Sequence, residues 1–199
     1  MKRFLAILGI LCLIFGLPAC SDTPKQTVAS EPIALASSQI GKPTLDAFKA
    51  MGFQNPEEHV SDEEVKFYLL QEDGVELCGK TGDVLILHSD ADNTSVLDNP
   101  ETTSIQYVFP FEDPTVEDYA FALDLYGYLR ETIGDPEEPT GYTAFSDKSA
   151  NDFAASAGSE PTQDRWLVED GAQISLSAIH FEAGSSPSWL VTIRFTSVS

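Results

Sequence analysis

Apolar and polar positions recur along this chain with two different periods, and the change of period separates helical from strand segments. Over residues 116–133 the positions Tyr119, Phe121, Ala122, Leu125, Tyr126, Leu129 and Ile133 fall at helical spacing, which predicts an amphipathic helix with one buried stripe. Thr115 supplies an N-cap with Asp118 three places on, in the manner of a capping box, and Gly134 closes the segment. A shorter helix over 45–51 follows Thr44, with Leu45, Phe48 and Met51 on one side and Gly52 at its end. Elsewhere branched and aromatic residues alternate in twos, predicting strands at 65–70, 75–78, 84–88, 104–109, 165–168, 173–181 and 189–196. The turns between them fall at Glu72-Asp73-Gly74, at Asp170-Gly171 and across 184–187. Ser61 and Glu64 form a second capping box, so 62–72 also fits a helix.

A repeat in element order favours the strand there. Thr44-Leu45-Asp46-Ala47-Phe48 is echoed by Thr115-Val116-Glu117-Asp118-Tyr119, and Asn55-Pro56-Glu57-Glu58 by Asp135-Pro136-Glu137-Glu138. Tyr68-Leu69-Leu70 before Glu72-Asp73-Gly74 is matched by Trp166-Leu167-Val168 before Glu169-Asp170-Gly171. The fold class expected is α+β: antiparallel β-meanders with covering helices, in two tandem halves at 42–114 and 115–199 packed as one unit. That order resembles the helix-then-sheet module of outer-membrane assembly lipoproteins and, in tandem, of β-lactamase-inhibitor-like proteins. The resemblance implies a protein that binds other proteins and catalyses nothing, and it carries over no binding residue.

The first nineteen residues read as a secretion signal: Lys2 and Arg3 in a positive flank, an apolar stretch from Phe4 to Leu17, then Pro18 and Ala19. The stretch is shorter than the ~20 residues a membrane span needs. Leu17-Pro18-Ala19-Cys20 resembles the lipobox of bacterial lipoproteins, in which the Cys thiol receives a diacylglycerol and the new amine is acylated, palmitate being a typical chain. Two or three acyl chains would hold the protein firmly, where one binds marginally. Ser21 rather than Asp after the Cys resembles the signal for delivery to the outer membrane, facing the periplasm. Residues 20–41, rich in Ser, Thr, Ala, Pro and Gln, read as a lipidated flexible tether with a reach of roughly 25 Å.

Charge narrows the partners. Of 11 Lys and Arg, two leave with the signal, so 9 face 32 Asp and Glu and the net charge becomes −23. Nucleic acid and anionic lipid would be repelled rather than steered in. Assigning Cys12 to the signal and Cys20 to the lipid predicts a fold without a disulfide framework, in which Cys78 is a small buried hydrophobe.

Few motifs carry chemistry. Residues 74–81 satisfy the P-loop pattern letter for letter, but such a loop must open a helix to grip phosphate, and the strand-like Val84-Leu85-Ile86-Leu87 follows it. No nucleotide is expected. Asp90, Asp92, Thr94, Asp98 and Glu101 fall at the ligand positions of a calcium loop. Ser95 stands where that loop needs Gly, and calcium remains the one cofactor candidate. His59, His88 and His180 are too scattered for a zinc site. Gly184-Ser185-Ser186 lacks the nucleophile-elbow pattern, and no residue stands out as catalytic.

The function expected is that of a non-catalytic cell-envelope lipoprotein, a protein-binding or structural module with an envelope protein as partner. Two alternatives stand beside it. One is an acidic inhibitor or immunity-type protein against a cationic secreted protein. The other is an envelope hydrolase working through carboxylates or His near the acidic loops.

Overall fold

The computed structural model describes residues 31–61, 66–89, 94–137, 142–155, 161–168, 172–181 and 186–197. The described residues form a seven-stranded, wholly antiparallel sheet with four helices. In chain order the elements are α1 (Glu31–Gln39), α2 (Thr44–Ala50), β1 (Glu58–Ser61), β2 (Lys66–Leu77), β3 (Lys80–Leu87), β4 (Ser104–Phe111), α3 (Val116–Ile133), α4 (Ala150–Ala155), β5 (Thr162–Leu167), β6 (Ala172–His180) and β7 (Trp189–Ser197). The spatial order is β1-β2-β3-β4-β7-β6-β5. The first four strands therefore run as one meander and the last three as another, and the two meet where β4 pairs with β7 from Ser104 opposite Thr196 to Phe111 opposite Trp189.

Strict alternation on β6 and β7 decides which face is covered. Ala172, Ile174, Leu176 and Ala178 point with Trp189, Val191, Ile193 and Phe195 into the core, at 5% exposure or less. From β3 and β4, Val84, Ile86, Ile105, Tyr107 and Phe109 join the same layer. α3 lies on it as its pattern demands, with Phe121 edge-on to Phe109 at 5.0 Å and Tyr119 against Trp189 at 4.8 Å. Each such fully buried side chain stabilises the fold by about 1.5–3 kcal/mol.

α3 keeps its expected bounds and cap. The Asp118 N–H donates to Thr115 Oγ1 at 3.3 Å, and the Thr115 N–H donates to Asp118 Oδ2 at 2.8 Å. Its stripe is rotated slightly from expectation: Tyr128 is buried, whereas Tyr126 and Ile133 are only partly so. Lys80, next to the β2–β3 turn, reaches Asp118 Oδ1 at 2.6 Å and ties that hairpin to the helix start.

Four expectations change. Part of the segment read as tether is helix α1, because Ile33 and Ala36 share one face and bury against the sheet, and Tyr107 Oη donates to the Pro32 carbonyl at 2.6 Å. Glu72-Asp73-Gly74 is not a turn: β2 continues through it by a register shift between Gln71 and Val75, with Asp73 in the left-handed region and its N–H bonded to Asp83 Oδ1. The true turn is Cys78-Gly79, both at positive φ, with Leu77 opposite Lys80 as a two-residue hairpin requires. Thr44 is the first residue of α2 and not its cap. It is fully buried, its Oγ1 donating to the Val96 carbonyl at 2.6 Å, while Asn99 Oδ1 accepts from the Leu45 N–H at 2.7 Å.

The fourth correction concerns Cys78, which packs beside the core but is disulfide-bonded. The chain's other cysteines, Cys12 and Cys20, lie outside the described residues. Counting cysteines by presumed fate could not reveal that bond, because it depends on where the chain brings sulfur atoms together.

Candidate functional site

All four helices contact the face built from the core positions above, and no described element packs on the opposite face. Pleating puts every second strand residue there, and the register aligns them into rows. One row crosses six strands: Leu70, Leu85, Gln106, Arg194, Ser175 and Arg165 are successive cross-strand partners. On one side of it run Asp83, Val108, Thr192, Ser177 and Gln163. On the other, Tyr68 pairs with Leu87 and stacks on His59 at 5.5 Å.

The face is therefore graded. At its β2–β3 end Leu70, Leu85, Tyr68 and Leu87 are apolar with Asp83 beside them, and its β4–β5 end is mostly polar with two guanidinium groups. On β4, β5, β6 and β7 this face has no Asp or Glu, although the chain carries 32 of them. Exposed carboxylates such as Glu117, Asp124 and Glu131 lie instead on the outer side of α3. Arg194 is exposed, and among the described residues its Nε donates to Ser104 Oγ at 3.3 Å. Neither Arg165 nor Arg194 forms an ion pair among the described residues, unlike Lys80 and Arg130, which pair with Asp118 and Asp135.

The opposite parity of β5 hides a carboxylate. Asp164 is 1% exposed, and its Oδ2 accepts the Phe145 N–H at 2.9 Å, capping a 3-10 turn over Phe145–Asp147. Burial raises its pKa above the ordinary 3.8, against the lowering effect of that hydrogen bond. Near the end of the same core, His180 lies 5.5 Å from Tyr119 and 5.8 Å from Trp189, centroid to centroid. Its Nε2 and Trp189 Nε1 are buried without hydrogen bonds. Burial lowers the His180 pKa, keeping the ring neutral, and a bond to the Phe153 backbone opposes that shift. A buried capping Asp and a neutral His packed among rings are structural arrangements.

Among the described residues, the positions singled out by sequence are not gathered into one place. Asp90, Asp92 and Cys20 lie outside the described residues. Thr94, Asp98 and Glu101 surround a 3-10 turn over Val96–Asp98, capped by Ser95 and held by Glu58, whose Oε2 accepts the Val96 N–H at 2.9 Å. Ser95 has φ −58°, and the left-handed residue is Asn99, four places later than the Gly of a calcium loop. Among the described residues no group of three or more His, Cys, Asp or Glu is placed to hold a metal. Residues 74–81 form the β2–β3 hairpin, with no helix following. His59 is on the open face, His88 Nδ1 meets the Glu101 carbonyl at 2.6 Å, and His180 is in the core.

The fold and this surface define a mixed α/β protein, predominantly sheet, with one helix-covered face and one on which no described element packs. Compared with known proteins, the chain matches no family model, no curated protein and no solved structure. Among the described residues, no helix is long and apolar enough to cross a membrane.

Proposed function

We propose that this chain is a lipid-anchored, non-catalytic lipoprotein of the bacterial envelope whose bare sheet face binds another protein. The observation that carries the reading is that face: six strands present a continuous row from Leu70 to Arg165 with nothing described packed on it. Broad surfaces of mixed apolar, amide and guanidinium groups are the composition that protein interfaces use. The sequence support for the anchor is the signal and the lipobox-like Leu17-Pro18-Ala19-Cys20, with the outer membrane as address. The segment between the proposed lipid on Cys20 and the folded part then ends where α1 begins at Glu31. On this reading the two meanders, each entered from a helix and joined at β4–β7, are a tandem pair of helix-plus-sheet halves.

Two measurements test it. Fatty-acid labelling and intact mass should find diacylglycerol on Cys20 of the mature protein and none in Cys20→Ser. With Cys12 removed in the signal, Cys20 is the one other cysteine beside Cys78, and a thioether and a disulfide cannot share one sulfur, so a Cys20–Cys78 disulfide in the mature protein refutes the anchor. The mature protein, immobilised and offered detergent-solubilised envelope, should retain a partner that Ser177→Trp on the open face releases. Equal retention by Ser177→Trp refutes the binding face.

A further inference from the structure

We infer that the partner meets this face with an acidic segment of protein, its carboxylates engaging Arg194 and Arg165. The inference rests on the binding face proposed above and names the chemistry of what covers it. Arg194 and Arg165 flank Ser175 from the two neighbouring strands, so their backbones stand two strand spacings apart, roughly 10 Å. Both lack an ion pair among the described residues, in a chain where acidic groups outnumber basic ones by 32 to 11. The same face of β4 to β7 holds no carboxylate, so nothing on these strands competes for the two guanidiniums.

Guanidinium groups bind carboxylates in a planar, two-pronged geometry that a diffuse surface charge does not need. Gln106 and Gln163 beside them offer amides to a peptide backbone, and Leu70 and Leu85 continue the row as an apolar seat. A row of five strand spacings, roughly 24 Å, fits a protein segment better than a single small anion. The acidic outer side of α3 faces away from this surface, so its repulsion is weakened by distance and by salt. A partner segment with two carboxylates about 10 Å apart completes the charge pattern.

The test uses the full chain in the cell envelope, with Thr192→p-benzoylphenylalanine as a photo-cross-linker on the open face between Val108 and Ser177. The expected result is an adduct whose cross-linked peptide carries Asp or Glu. Its yield should fall about tenfold on adding Arg165→Glu and Arg194→Glu, and recover most of its level with Lys at both positions. Arg165→Gln with Arg194→Gln provides the same loss without reversed charge, should the reversal unfold the protein. An adduct that survives both changes, or one to lipid or to a peptide without carboxylates, overturns the acidic partner while leaving the binding face standing. Absence of any adduct at position 192 in the otherwise unchanged chain removes the binding face itself.

Discussion

Asp164 offers a stringent test of how this core is assembled, because it is a carboxylate at 1% exposure whose described hydrogen bond is the Phe145 N–H at 2.9 Å. Asp164→Ala leaves that buried N–H without its acceptor and opens a void beneath the 3-10 turn, so it should cost about 2–3 kcal/mol. Asp164→Asn keeps an oxygen for Phe145 and removes the charge that burial penalises, so near pH 7 it should be more stable than the parent by about 1 kcal/mol. The pH dependence separates the two effects. Because the folded pKa is raised above 3.8, the native state still holds a proton that the unfolded chain has released. This group's contribution to stability therefore falls as pH rises from the unfolded value through the folded one, and stays level beyond it. Asn at this position does not titrate, so its advantage over the parent should grow with pH and then plateau. Urea denaturation at intervals between about pH 4 and about pH 8 measures both curves. An Ala variant costing less than about 0.5 kcal/mol, or an Asn variant parallel to the parent throughout, would refute a buried capping carboxylate.

Gly82 faces the core, where an added Cβ would lie 2.6 Å from two carbons of the Phe109 ring and 2.8 Å from the Val108 carbonyl. Gly82→Ala should therefore cost about 2–3 kcal/mol, and pairing it with Phe109→Leu should recover part of that, whereas strict additivity in denaturant melts would exclude the clash. Asp118 titrates in the opposite sense to Asp164. Desolvation pushes its carboxyl up, but the Lys80 and Thr115 hydrogen bonds outweigh this and hold it below the ordinary 3.8, so its stabilisation is present above that value and is lost as pH falls through the folded one. Asp118→Asn should cost about 1–2 kcal/mol at neutral pH and nothing in strong acid, a convergence that paired melts would show. Tyr107→Phe removes the donor to Pro32 and should cost about 1 kcal/mol, with hydrogen exchange quickening over Glu31–Gln39 more than over Val116–Ile133. Equal quickening in both helices would show that Tyr107 does not anchor α1.

Much of the secondary structure was legible because its causes are local. α3 was readable to the residue since its cap, first turn and closing Gly are neighbours in sequence, and β2 to β7 announced themselves by their period of two. The short β1 at Glu58–Ser61 carries too little alternation to be read and forms by pairing with β2. What failed was decided at a distance. α2 is capped by Asn99 and Pro100, more than fifty residues away, so Thr44 looked like a cap and is a buried first residue. Glu72-Asp73-Gly74 has turn composition, but β3 supplies partners on both sides of it and makes it an irregularity within one strand. Ile33 and Ala36 are too few to predict a helix alone, and they become one because the sheet offers them a face.

By itself the sequence determined the two periods, the helix-and-meander order and the acidic balance, all of them properties of residue type and spacing. Only the tertiary structure decided that Asp164 goes inward while its neighbour Arg165 goes outward. It also decided that Arg165 and Arg194 share one row across Ser175. Alternation assigns residues to two faces, but which face meets helices, and which strands lie side by side, follows from pairing between segments far apart in the chain.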